Sequence, residues 1–204
     1  EALFEIHERE QGRVDLALRQ AGADRRDTRM QPQVGMSSAA GFGAGFGRFD
    51  VTSRGEEPVA KAKRTLTPVV LDTFEREDTE GPVGTLIEQT SDRLAEMVSD
   101  PHVAEQATER IEALRNARDV MEALSQAMRA IDERADIDTV ADVALRLPEP
   151  YQSRLRRAFA DASRTAWGSD GAPQSVIRAV RSLRREAAND LAEILILSQP
   201  GAPQ

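Results

Sequence analysis

From Val103 to Ile131 the apolar residues Val103, Ala107, Ile111, Leu114, Met121, Leu124, Met128 and Ile131 recur at steps of mostly three, four or seven. An α-helix returns side chains to one face at that spacing, so the segment predicts one helix of about 30 residues, about 45–50 Å long. A helix carrying a single apolar stripe over that length must be covered by other helices. The flanking sequence supplies them. Leu86, Ile87, Thr90, Leu94, Met97 and Val98 share a face upstream, and Thr85 with Glu88 reads as a capping box at its start. Asp100 is expected to cap the long helix, with Pro101 in its first turn.

Downstream, Val140, Val143, Ala144 and Leu147 mark a short helix that Pro148 stops. Pro150 opens the next, with Tyr151, Leu155, Phe159 and Ala162 on its face and Gly168 as its end. Pro173 opens a last helix through Val176, Val180, Leu183, Ala187, Leu191, Ile194 and Leu195. Met97, Met121 and Met128 lie on the apolar faces and read as core fillers. The fold class is therefore mainly α: an irregular helical bundle with one long helix over residues 68–198, closed by a short tail at 199–204.

Two further segments precede the bundle. Leu3, Phe4, Ile6, Val14, Ala17 and Leu18 give residues 1–21 the pattern of an amphipathic helix, interrupted by Gly12 and stopped at Gly22. Such a stripe must dock on the rest of the chain or on a neighbouring subunit. Residues 22–67 lose clear periodicity and include Gly41-Phe-Gly-Ala-Gly-Phe-Gly-Arg-Phe49, which reads as a long extended arm. Three of the six phenylalanines, Phe42, Phe46 and Phe49, fall in it. Glycines permit close backbone approach while the rings fill pockets, so with Leu3, Phe4 and Ile6 they are the candidate partner-binding residues. The alternation around 49–53 suits a short strand added to a partner's sheet edge.

Chemistry is sparse. The chain of 204 residues has no cysteine and two histidines, His7 and His102, which removes disulfide scaffolds, cysteine nucleophiles and zinc knuckles. His102 and Glu105 form one reversed pair where a di-iron bundle needs two Glu-x-x-His pairs. Asp132, Glu133, Asp136 and Asp138 lack the spacing and the glycine of a calcium loop and read as helix-end charges. Gly41 to Gly47 follows no aliphatic strand and carries no phosphate lysine. The sequence thus predicts no catalytic residue, no metal and no cofactor.

Charge is the remaining signal. The net charge is −8, but residues 71–150 hold 8 basic against 20 acidic side chains, and residues 151–187 hold 8 against 3. This dipolar layout suits docking or self-pairing. The basic block sets Arg154, Arg156, Arg157 and Arg164 on one predicted helix and Arg178, Arg181, Arg184 and Arg185 on the next. Arg154, Arg157, Arg178, Arg181, Arg184 and Arg185 are therefore candidate contacts to nucleic acid or to an acidic partner. A helix-turn-helix reader would need an aliphatic helix where 162–174 holds Gly, Ser and Trp. Pairing of these arginines with the acidic helices of 86–134, within or between subunits, is the preferred expectation.

The function expected is a non-enzymatic structural or adaptor subunit of a larger assembly, by architectural analogy a virus or phage particle or secretion-type machinery. Its partners would be other protein subunits in a homo- or hetero-oligomer. A nucleic-acid-associated helical protein is the first alternative, and a regulator or chaperone-like module the second. No apolar run is long enough for a membrane span, which points to a soluble location in the cytoplasm or in an assembled particle. The first residue is Glu1, so the chain reads as part of something longer.

Overall fold

The computed structural model describes residues 8–20, 53–78, 80–135, 137–162 and 172–199. Seven helices and no strand occur among them. They are α1 (8–20), α2 (Ser53–Arg76), α3 (Pro82–Met97), α4 (Ala104–Asp132), α5 (Ile137–Arg146), α6 (Tyr151–Ala162) and α7 (Gln174–Leu197). The mainly α bundle with one long helix is what the periodicity predicts, and α4 is that helix at 29 residues.

The core lies where α7 is covered by α4, α2 and α6. Leu66, Leu124, Leu155, Leu183, Leu191, Leu195 and Ile196 are fully buried there, and Met121 joins them. Burying a leucine of this kind stabilises the fold by about 1.5–3 kcal/mol. Polar pairs fix the register of α2 against α7. Lys63 is paired with Glu193, Thr67 Oγ1 lies 2.8 Å from Asn189 Oδ1, and Arg184 Nη2 donates to the Leu71 carbonyl at 3.1 Å. Numbers rise along one helix as they fall along the other, so the two run antiparallel.

Helix α2 corrects the expected arm. Residues 53–67 are helical rather than extended, and Ser53 begins a helix rather than ending a strand. Gly55, Pro58 and Pro68 hide it in the sequence. A proline in a helix interior removes one backbone hydrogen bond and costs about 3 kcal/mol. Here that cost is offset by the stripe Ala62, Leu66, Val69 and Val70, all buried against the bundle. The rest of the expected arm, with Phe42, Phe46 and Phe49, lies outside the described residues, as do Leu3, Phe4 and Ile6.

The described part of the N-terminal helix docks on its own chain. Val14 and Ala17 enter the core, Arg76 pairs with the buried Glu10, and Thr65 Oγ1 donates to Gln20 Oε1 at 3.3 Å. Of the two ways to bury this stripe, residues 8–20 use the intramolecular one.

Two helix starts differ from expectation. Helix α3 begins at Pro82 with Gly81 as N-cap, so Thr85 and Glu88 lie inside it and form no capping box. Helix α4 begins at Ala104, because Asp100 caps the preceding turn instead: its Oδ1 accepts from the His102 amide at 3.0 Å and its carbonyl from the Val103 amide at 3.1 Å. The expected end of α6 at Gly168 lies outside the described residues. The C-termini of α2 and α4 share one device without glycine. Glu77 and Arg134 sit in the left-handed region, at φ 57° and 59°, and the next amides, Asp78 and Ala135, donate back to Thr73 and Ala130. This is the Schellman closure.

Candidate functional site

Two surfaces of opposite sign stand out from this frame. The first is on α7. Arg178, Arg181 and Arg185 are spaced three and four residues apart, all are exposed, and none has an ion pair among the described residues. Such spacing puts their guanidiniums on one helical face, a turn apart. Arg157 on the neighbouring α6 is likewise exposed and unpaired among the described residues.

The other arginines of this block behave differently. Arg184 is only 9% exposed and donates to the Leu71 carbonyl and, at 3.5 Å, to Glu75. It is a core-edge residue and contributes nothing to a binding face. Arg154 is paired with Glu186 of α7. The expected pairing with the helices of 86–134 is therefore corrected within the chain: the recorded partners are Glu75 on α2 and Glu186 on α7. Helix α6 is held to α7 a second time by Tyr151, whose hydroxyl donates to Asp190 Oδ2 at 2.6 Å. Burial first, then this hydrogen bond and the negative charges of Asp190 and Glu186, push the phenol well above its usual range.

The second surface is a groove between α2, α3 and α4. Its larger end is a cavity of about 790 Å³ bordered by the α2–α3 turn. Glu77, held in the turn by its left-handed backbone, reaches Arg129 of α4 at 2.6 Å. Arg118 and Glu122 make an internal pair on α4 at 2.9 Å. Thr73 and Ser125 line the cavity, and their hydroxyls are buried without a hydrogen-bond partner among the described residues. A second cavity of about 310 Å³ continues along α3 and α4, sharing Ile87, Glu88 and Arg118 with the first.

Once the internal pairs are set aside, the groove is acidic. Glu80 and Glu88 on the first cavity and Asp92 and Asp119 on the second have no ion pair among the described residues, and they face one unpaired arginine of the lining, Arg115. The sequence shows this acidity only as an average over 71–150. The signal that would have located it is Glu88 with Asp92, one turn apart on the solvent side of α3.

No group of three or more metal-binding side chains occurs among the described residues, and His102 is an exposed turn residue. Glu133 is the C-cap of α4. No helix among the described residues is long and apolar enough to cross a membrane. No protein-family model, curated protein or solved structure matches the chain.

Proposed function

We propose that this chain is a structural or adaptor subunit that works by docking on other protein chains, not by catalysis. The observation that supports this most is the stripe Arg178, Arg181 and Arg185: three exposed guanidiniums without an ion pair among the described residues, on a chain whose net charge is −8. A cationic stripe on an acidic protein is repelled by little and attracted to a surface that supplies carboxylates. The groove of α2, α3 and α4 offers the complementary sign at a second place. Assembly within a virus-like particle or a secretion-type machine is the setting that this architecture suits by analogy.

The same stripe favours one alternative, contact with nucleic-acid phosphates through Arg157, Arg178, Arg181 and Arg185. One pair of measurements separates them. Light scattering of the full chain should give a mass above the 22.4 kDa of one copy, and labelled duplex DNA or RNA should not bind at moderate salt. A 22.4 kDa species that binds nucleic acid with a steep salt dependence, lost on replacing the three stripe arginines by Ala, would overturn the docking reading.

A further inference from the structure

We infer that the acidic groove between α3 and α4 receives the Arg178–Arg181–Arg185 stripe of a second copy of this chain. The inference rests on the docking reading above and names the partner.

Charge sets the occupant. Glu80, Glu88, Asp92 and Asp119 are uncompensated by ion pairs among the described residues, whereas Glu77 and Glu122 are already matched by Arg129 and Arg118. With Arg115 as the one unpaired cation of the lining, the groove keeps a net negative charge that favours a cationic ligand, and guanidinium is the cation whose fork matches a carboxylate. The spacing also fits. Glu88 and Asp92 stand four residues apart on α3, and the arginines three and four apart on α7, so both charge series repeat about once per helical turn of 5.4 Å. A helix laid along the groove can therefore meet carboxylate with guanidinium turn after turn.

The buried wall supplies a second reason. Thr73 and Ser125 are 4% and 3% exposed, and their hydroxyl oxygens lack partners among the described residues. Buried hydroxyls are seldom left unsatisfied, and these two sit in the lining of the larger cavity. A guanidinium entering there brings the N–H donors that such oxygens accept.

The stripe and the groove belong to different parts of one chain, and each copy offers one of each. Two copies can exchange them reciprocally about a two-fold axis, or each copy can pass its stripe to the next in a ring or filament.

The test is a charge swap read by sedimentation velocity. One variant carries Arg178→Glu, Arg181→Glu and Arg185→Glu; the other carries Glu88→Arg, Asp92→Arg and Asp119→Arg. All six positions are exposed, and circular dichroism checks that each variant keeps its helices. If either fails to fold, Arg→Ala at the stripe and Glu→Gln or Asp→Asn in the groove replace it. Wild-type chain should self-associate, each charge-reversed variant should lose association by about tenfold or more, and an equimolar mixture of the two should recover it. Association that is unchanged in both variants overturns the groove and leaves the docking reading standing. A wild-type chain that stays monomeric also overturns the groove, and if it binds nucleic acid the docking reading falls with it. Loss in each variant without recovery in the mixture overturns the pairing of the two surfaces.

Discussion

Helix α4 takes part in two regions that differ in kind. Along its second half, Val120, Met121, Leu124, Ala127, Met128 and Ile131 are buried in the core. Along its first half Ala107 and Leu114 alone are buried. The flank beside the stripe is one wall of the acidic groove, with Arg115, Arg118 and Asp119 on the smaller cavity and Arg118, Glu122, Ser125 and Arg129 on the larger. The same periodicity runs through both. What differs is whether a neighbour covers the flanks of the stripe. The stripe that other helices cover is core, and the charged flank beside it, from Arg115 to Arg129, borders the groove. Burial is thus concentrated in the second half of the longest helix, while the groove runs along its charged flank through both halves.

The largest effect that probes this contrast comes from truncating one apolar residue in each half. Leu124→Ala, at a fully buried site, should cost about 2–5 kcal/mol in urea unfolding. Ile111→Ala, at a half-buried site in the groove wall, should cost about 1 kcal/mol. Equal losses would erase the distinction.

Arginines sharpen the comparison next. Removing Arg184, buried with its donor on the Leu71 carbonyl, should cost about 1–3 kcal/mol through lost packing and a lost charge-assisted hydrogen bond. Removing Arg118, exposed and paired within its own helix to Glu122, should change stability by less than about 0.5 kcal/mol. Chemical denaturation of Arg184→Ala beside Arg118→Ala decides it.

This pair also shows what a sequence discloses. The apolar stripes predict six of the seven helices, because burial imposes their period. Helix α2 is obscured by Pro58 and Pro68, although Ala62, Leu66, Val69 and Val70 keep helical spacing and pack in the core. Its prolines are tolerated for the sake of contacts that lie far away in sequence, such as Thr67 with Asn189. Arg184 and Arg185 are neighbours in a run of equal charges, yet one is buried and the other exposed. Their place in the helical period separates them, since Arg184 stands four residues after Val180 and three before Ala187 on the apolar stripe and Arg185 does not; that α2 covers this edge and supplies the Leu71 carbonyl is a tertiary fact. The groove was equally hidden, since its carboxylates come from the α2–α3 turn, α3 and α4, and only packing shows which of them are already paired.

A smaller effect tests how α6 is fastened to the core side. Tyr151→Phe removes the hydroxyl donated to Asp190 and should cost about 1 kcal/mol at neutral pH. The folded phenol titrates above its unfolded value, so the protonated form favours the fold. That contribution is complete below the ordinary tyrosine pKa of about 10 and is lost as pH rises beyond it. Wild type should therefore approach the Phe variant in stability in strongly alkaline solution, as followed by denaturation at stepped pH.

The smallest expected change is a gain at the periphery. A methyl at Gly12 would meet nothing within 4 Å, and the residue lies within α1. Gly12→Ala should stabilise the chain by about 0.5–1 kcal/mol, visible as a raised Tm and slower proteolysis of α1.

The account stands most directly on the salt dependence of self-association. Sedimentation velocity of the full chain at about 50 mM and about 500 mM salt should show complexes at low ionic strength that dissociate at high, because exposed guanidinium–carboxylate contacts are screened there. A chain that is monomeric at both, or associated to the same extent at both, would contradict it.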